Sequence, residues 1–169
     1  MLMFSRNKEP LLDDTDRQIL NVLLEDANTT YADIAKQIHV SAGTVHVRMR
    51  RLNALNIAQP AFLNLNYRKI SYDIISFFAI FADRADAYPS IAKQLLPISE
   101  VVSAHLTTGA FGLLIQVICR DTQHLHRTMQ QLQQLPNVQR LDSFLSLAQP
   151  IHRPLYLKDD YYFDQHDEE

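Results

Sequence analysis

The feature that most constrains this chain is a run of 39 residues, from Ile34 to Tyr72, that contains no aspartate or glutamate. The same run carries six lysine and arginine residues, although the net charge of the whole chain is −3. A protein surface binds phosphates through its local charge and not through its net charge. The run therefore predicts a nucleic-acid-binding surface on an otherwise acidic protein.

Three short helices are predicted in and before this run, because apolar residues recur there at helical spacing. They are expected over residues 14–26, 31–38 and 42–55. The residues before them are favourable N-caps, namely Asp13 or Asp14, Thr30 and Ser41. The second and third helices are separated by a three-residue turn. This arrangement is typical of a helix-turn-helix.

The third helix has two different faces. Val45, Met49 and Leu52 form a stripe that should be buried, and the opposite face is basic. A helix fits the major groove of DNA, where its N-terminal residues reach base edges. The predicted base-reading residues are Gly43, Thr44, His46, Val47 and Arg50. Arg48 and Arg51 are predicted to bind phosphates, which gives affinity without sequence discrimination; the alternative is that this basic face is only solvated.

The second half of the chain predicts a β-α-β-β-α-β unit. Strands are expected over 74–82, 101–108, 113–119 and 138–147, with one helix near Tyr88–Leu95 and another capped by Asp121. This order is that of a ferredoxin-like fold. The predicted fold class is α+β, with an N-terminal helix-turn-helix (winged-helix-like) domain and a C-terminal ferredoxin-like βαββαβ domain.

The predicted boundaries are 11–57 for the DNA-binding domain, 58–72 for a linker, 73–150 for an oligomerisation and effector-binding domain, and 151–169 for a C-terminal extension. The linker should include a short extended piece. Residues 158–169 hold six acidic residues and one lysine, which predicts a disordered, solvated tail. A weaker alternative is that this tail shields the basic face.

The apolar strands also predict self-association. Two helices can cover only one face of a four-stranded sheet, yet 74–82 and 113–119 are apolar on both faces. The open face should be buried against a second copy, which predicts a homodimer. A dimer would place two recognition helices about 34 Å apart, matching DNA half-sites one turn apart.

The segment most similar to a small-molecule site is the loop from Thr107 to Gly112. It combines two hydroxyls, two glycines and an aromatic ring. Such a loop can offer N–H groups and hydroxyls to a carboxylate. A plain hairpin turn, which also uses glycine, is the alternative interpretation.

Other functional classes find little support. The histidines lack zinc-site spacing, Cys119 lies in an apolar run as a small buried residue, and no catalytic motif occurs. We therefore predict no catalytic residue, no metal site and no cofactor.

No apolar run is long enough for a membrane helix, and Met1–Pro10 lacks the apolar core of a signal peptide. The expected location is the cytoplasm, at the nucleoid.

Several motifs together resemble one family. The stretch from Ser41 to Arg48, followed by Arg50-Arg51-Leu52, resembles the recognition helix of the Lrp/AsnC (leucine-responsive/asparagine-responsive, feast/famine) regulators. Leu12–Asp16, Ser71–Asp73 and Thr107–Gly109 resemble other motifs of that family. The resemblance covers about residues 11–155 and is closest to the asparagine-responsive branch.

The resemblance implies a regulator that binds double-stranded DNA and assembles from dimers into octamers or an open array. It also implies that an amino acid binds between dimers and biases assembly or DNA affinity. The effector-binding residues implied are Thr107, Thr108, Gly109, Phe111 and Gly112, with Gln133 from a neighbouring chain. Gly112 lacks the acidic or hydroxyl side chain found there in relatives, so an apolar amino acid is an alternative to asparagine. A DNA-organising protein without a ligand is the alternative function.

Overall fold

The computed structural model describes residues 12–61 and 63–157, which divide into two compact units. One unit contains the described residues up to Leu63 together with the C-terminal segment from His152. The other unit runs from Asn64 to Ile151. The predicted disordered tail, 158–169, lies outside the described residues.

The first unit is built from three helices, α1 (Asp14–Glu25), α2 (Tyr31–Gln37) and α3 (Ala42–Ala54). The predicted N-caps are confirmed, because the side chains of Asp13, Thr30 and Ser41 each accept a hydrogen bond from a backbone N–H in the first turn. The cap of α1 is a reciprocal capping box between Asp13 and Asp16. The helix-turn-helix therefore begins and ends within one residue of the predicted bounds.

The core of this unit lies where the three helices meet. The fully buried apolar side chains include Ile19, Ile34, Val45 and Leu52. The predicted buried stripe of α3 is confirmed, since Val45, Met49 and Leu52 are all buried. Burying one such side chain stabilises a fold by about 1.5–3 kcal/mol. Helix α3 is thereby held with its other side exposed.

The second unit is a four-stranded antiparallel sheet with strand order β2-β3-β1-β4. Its strands are β1 (Ile74–Ala82), β2 (Val101–Leu106), β3 (Leu113–Cys119) and β4 (Val138–Leu145). Its helices are α4 (Tyr88–Leu95) and α5 (Thr122–Gln133). The predicted βαββαβ order is confirmed. Strands β2 and β4 are each two residues shorter than predicted, because the turn after Leu106 closes earlier and the last ladder bond after β4 is made by Ser146.

The two faces of the sheet differ in their covering. Phe78, Ile80, Ile115 and Leu132 are buried in one cluster between the sheet and its helices. On the other face, Phe77 lies directly opposite Phe144, whose side chain is 53% exposed. The sheet therefore has one apolar face that no other element of this unit covers.

The segment between the units contains one short helix. Residues 58–61 and 63–66 belong to no helix or paired strand, so the short extended piece stays a prediction. A 3₁₀ helix follows at Tyr67–Ile70. The Asn66 side chain accepts a hydrogen bond from the backbone N–H of Lys69 and so caps this turn. None of the helices in the described residues is long and apolar enough to span a membrane.

Candidate nucleic-acid interface and small-molecule loop

Helix α3 presents an exposed side that we call the recognition-helix surface; it consists of Gly43, Thr44, Val47, Arg50 and Arg51. Val47 is a large apolar residue that is 68% exposed. An open pocket of about 510 Å³ lies on this surface, between α3 and the N-cap residue Asp13 of α1. An exposed aliphatic side chain among basic residues is suited to contact with a thymine methyl group in the major groove.

Two of the predicted base-reading residues also make contacts within the unit. The Thr44 hydroxyl lies 2.8 Å from the Ser41 hydroxyl, at the N-cap of α3. The His46 ring packs edge-on against Tyr31 of α2, with ring centroids 6.0 Å apart. Both side chains are therefore oriented by the fold before any ligand binds.

Arg48 and Arg51 of α3 bind a buried carboxylate. Asp16 of α1 has a fully buried side chain. Arg48 donates to Asp16 Oδ1 at 2.9 Å and to Asp13 Oδ1 at 2.7 Å, and Arg51 donates to Asp16 Oδ2 at 3.0 Å. The hydrogen bond from Arg48 lowers the pKa of Asp13, and the two carboxylates raise the pKa of Arg48.

This network gives Arg48 a structural partner that the sequence did not reveal. Its predicted role in phosphate binding stays a prediction, but its guanidinium already joins the start of α1 to the middle of α3. The spacing of α1 contained a signal for this. Asp16, Ile19, Leu20 and Leu23 follow the i, i+3, i+4, i+7 pattern, so Asp16 lies on the stripe that faces the core.

Arg50 differs from the other two arginines of α3, Arg48 and Arg51. It is exposed, and no hydrogen bond or ion pair to it is found among residues 12–61 and 63–157. A guanidinium presents five donors in a planar fork, which can bind the O6 and N7 acceptors of guanine together. Of the basic residues of α3, Arg50 is the one whose charge is not already matched by a carboxylate of the described fold.

The loop from Thr107 to Gly112 connects β2 and β3 as a closed turn. The Thr107 hydroxyl donates to the Phe111 carbonyl at 2.8 Å, and the Thr107 N–H donates to the Gly112 carbonyl at 3.0 Å. Gly109 has a φ of +109°, a conformation that requires glycine. Thr108, Gly109 and Ala110 are exposed at the tip. The hydroxyl of Thr107 thus supports the turn, and that of Thr108 is at the surface.

Tyr88 at the start of α4 packs against this loop. Its hydroxyl accepts hydrogen bonds from the N–H groups of Gly112, at 3.1 Å, and of Ala82, at 3.3 Å. A Cβ atom at Gly112 would lie 2.3 Å from the Tyr88 ring. Gly112 is therefore required by a neighbouring ring and not by its backbone angles. The sequence suggested only that Tyr88 belongs to the apolar stripe of a helix.

The remaining candidates are separate from this loop in the described chain. Gln133 is exposed at the end of α5, and no hydrogen bond joins it to residues 107–112 in the described chain. Cys119 is fully buried, and burial raises the pKa of its thiol. Among the described residues, no group of three or more metal-ligating side chains comes together.

Two family models match this chain. The AsnC-type helix-turn-helix domain matches residues 12–53, and the Lrp/AsnC ligand binding domain matches residues 76–156. The chain belongs to the Lrp/AsnC family. The resemblance predicted from the recognition helix and the Thr107–Gly109 motif is thereby confirmed.

Curated members of the Lrp/AsnC family are similar to the chain over nearly their whole length. The regulatory protein AsnC of Escherichia coli strain K12 is 34% identical over 146 residues, which are 86% of this chain and 96% of that protein. The regulatory protein AsnC of Haemophilus influenzae is 32% identical over 145 residues, 85% of this chain and 97% of that protein. These relatives are named as regulatory proteins.

Solved structures of bacterial regulators match the fold. The structure of E. coli AsnC has a TM-score of 0.81 at 33% identity, covering 87% of this chain and 99% of that one. A Neisseria meningitidis transcriptional regulator, solved as a complex with L-Met, has a TM-score of 0.80 at 23% identity, covering 87% and 96%. The α+β fold class is confirmed, and the chain is a transcriptional regulator of Lrp/AsnC type with a helix-turn-helix domain and a ligand-binding domain.

Proposed function

We propose that this regulator binds specific DNA sequences through the recognition-helix surface, and that an amino acid or related metabolite bound between dimers changes its assembly or its DNA affinity. The observation that carries the first part is the exposed, unmatched guanidinium of Arg50 beside the exposed Val47. Arg50 reads a guanine, and Thr44, His46 and Val47 contact neighbouring bases. The protein acts in the cytoplasm, where the DNA is.

Replacing Arg50 with alanine should reduce sequence discrimination by about 1–3 kcal/mol, which is roughly 5- to 150-fold in relative affinity. The physical reason is the loss of a bidentate contact to one base pair. The measurement compares Kd for a duplex selected from a random pool by the unmodified chain with Kd for a scrambled duplex at fixed salt. Arg127→Ala, which removes an exposed arginine of α5, is the matched control and should leave both values unchanged. Equal losses on both duplexes for Arg50→Ala would contradict base reading.

A second copy is proposed as the partner of the open sheet face. Phe77, Phe144 and other apolar side chains lie on this face, and Phe144 is half exposed. Contiguous apolar surface of this kind marks an interface, and most homo-oligomers begin from a twofold dimer. The dimer then presents two helix-turn-helix units to two half-sites, and further association gives octamers or larger assemblies.

The effector proposal rests on the matched ligand-binding domain and on the exposed tip of the 107–112 loop. The Thr108 hydroxyl and the N–H groups of Gly109 and Ala110 are at the surface, where a ligand carboxylate could be bound. The relative from N. meningitidis was solved with L-Met. An apolar amino acid suits a loop in which Gly112 supplies no acidic partner for a ligand ammonium.

A panel of the twenty amino acids should contain at least one that raises the melting temperature. A ligand at 100 times its Kd stabilises the folded state by about 2.7 kcal/mol. Thr108→Val should abolish that shift, because it removes the exposed hydroxyl while keeping the shape, and sedimentation should still report the dimer. Thr122→Val, at the exposed start of α5, is the control and should keep the shift. A shift that persists in Thr108→Val would place the site elsewhere.

The second candidate function, DNA organisation without a ligand, is favoured by one observation. Two of the groups expected to bind an effector, the Thr107 hydroxyl and the Gly112 N–H, already have hydrogen-bond partners within the chain. A flat amino-acid panel, together with unchanged DNA binding, would support this candidate over effector sensing.

A further inference from the structure

A side chain of the first unit binds the backbone of the C-terminal segment. Asn21 of α1 donates its Nδ2–H to the Leu157 carbonyl at 2.9 Å and accepts the Leu157 N–H on Oδ1, also at 2.9 Å. Both backbone polar groups of Leu157 are thus satisfied by the same amide, and both residues are partly buried. This clamp fixes the point at which residues 158–169 leave the described structure.

The clamp lies on the same helix as the carboxylate that binds two arginines of α3. Asn21 follows Asp16 by five residues on α1, a rise of about 8 Å along the helix axis. Asp16 is the carboxylate to which Arg48 and Arg51 of α3 are bound. Twelve residues can extend over about 40 Å. The distal residues of 158–169 therefore have enough chain length to reach the recognition-helix surface of their own unit.

The charge of this segment is opposite to that of α3. Residues 158–169 contain six acidic side chains and one lysine, with three aromatic side chains between them. Helix α3 carries three arginines and no acidic residue. Arg50 has no carboxylate partner in the described chain. The exposed Val47 and Arg51 of the same surface line an open pocket of about 510 Å³.

We propose that the acidic segment 158–169 is an intramolecular occupant of the recognition-helix surface and competes there with DNA phosphates. A tether of this length gives an effective concentration on the order of 1 mM. A segment that binds the surface with a Kd on the order of 0.1–1 mM would then weaken DNA binding by about 2- to 10-fold. The competition decreases as salt screens the charges. This inference rests on the proposed use of the same surface for DNA.

The first test measures the Kd for a mixed-sequence duplex by fluorescence anisotropy, at salt concentrations from about 50 to 200 mM. The variants are the full chain, a chain ending at Leu157, and a full-length chain in which the six acidic residues of 158–169 are changed to their amides. Both changed chains should bind DNA about 2- to 10-fold more tightly at the lowest salt, and the difference should shrink as salt rises. The amide variant keeps the chain length, so it remains informative if the shortened chain folds poorly.

The clamp supplies a second variant that leaves all acidic residues in place. Asn21→Ala removes both hydrogen bonds to Leu157, which lowers the effective concentration of the segment at α3. DNA binding should tighten by less than it does in the amide variant. Asn28→Ala, in the exposed turn after α1, is the matched control and should bind like the full chain.

Simple repulsion between the acidic segment and DNA is distinguished by a measurement without DNA. In Val47→Cys chains, the rate at which the new thiol reacts with a neutral maleimide reports access to the recognition-helix surface, because Cys119 is buried. The rate should rise at least twofold when the six acidic residues are changed to amides. An equal rate would overturn the proposed occupancy, as would equal DNA affinity of the full and amide chains. If no chain bound any DNA, the proposed DNA binding itself would fail, and the competition with it.

Discussion

Replacing Arg48 with methionine should lower the free energy of unfolding of the first unit by about 2–4 kcal/mol. The change keeps the aliphatic stem but removes the guanidinium that binds Asp13 and the fully buried Asp16. Asp16 would retain Arg51, yet part of its charge would be left in the interior without compensation. Thermal or urea unfolding followed by the helical circular dichroism signal measures the loss.

The matched control is Arg50→Met on the same helix, which should change stability by less than about 0.5 kcal/mol because Arg50 is exposed and unpaired in the described chain. Combining Arg48→Met with Asp16→Leu should cost less than the sum of the two single changes, because both charges are then removed. Additive losses would show that the two side chains do not act as a pair.

A defect of Arg48→Met in DNA binding must therefore be interpreted together with its stability. A phosphate contact predicts weaker binding to all duplexes in a chain that is still folded. The Asp13–Arg48–Asp16 network predicts weaker binding that follows the loss of folded α1 and α3. DNA titrations at a temperature where circular dichroism reports full folding separate the two causes.

Replacing Gly112 with alanine should destabilise the second unit by about 1–3 kcal/mol, which is the usual effect of overpacking. The added Cβ would lie 2.3 Å from the Tyr88 ring, so the ring must move. That movement also weakens the hydrogen bonds from the N–H groups of Gly112 and Ala82 to the Tyr88 hydroxyl. The measurement is urea unfolding of Gly112→Ala, of Tyr88→Ala and of the variant that carries both changes.

The double variant Gly112→Ala/Tyr88→Ala provides the decisive comparison. Gly112 does not have a positive φ, so alanine is tolerated there once the ring is absent, and the extra cost should fall near zero. Gly109→Ala is the contrast, because its φ of +109° should cost about 1 kcal/mol whether or not Tyr88 is present. A full cost for Gly112→Ala in the Tyr88→Ala background would mean that another contact excludes the side chain.

The same pair bears on effector binding. A side chain at position 112 would require a different placement of the Tyr88 ring, because the ring fills that space. Gly112 and Tyr88 therefore form one structural unit. A ligand that binds at the 107–112 loop would contact the exposed tip and not the Gly112 N–H, which Tyr88 already binds.

Interactions between residues that are close in sequence allowed much of this protein's secondary structure to be predicted. The three N-caps, the buried stripe of α3 and the order of strands and helices depend on residues within a few positions of each other, and all are found as predicted. Capping and amphipathic spacing act along one element, so they leave a pattern in the linear chain. The 3₁₀ turn at Tyr67–Ile70, which Asn66 caps, was not predicted, because a single short turn leaves no repeating pattern in the sequence.

The sequence by itself determined the helix-turn-helix, the βαββαβ order and the basic charge of α3. Only the tertiary structure decided what the individual charges do. The partners of Arg48 lie 35 and 32 residues away, the Tyr88 hydroxyl meets Gly112 across 24 residues, and Asn21 meets Leu157 across 136. Such pairs form because packing brings distant elements together and a buried polar group must find a partner there, and neither condition leaves a periodic pattern in the chain.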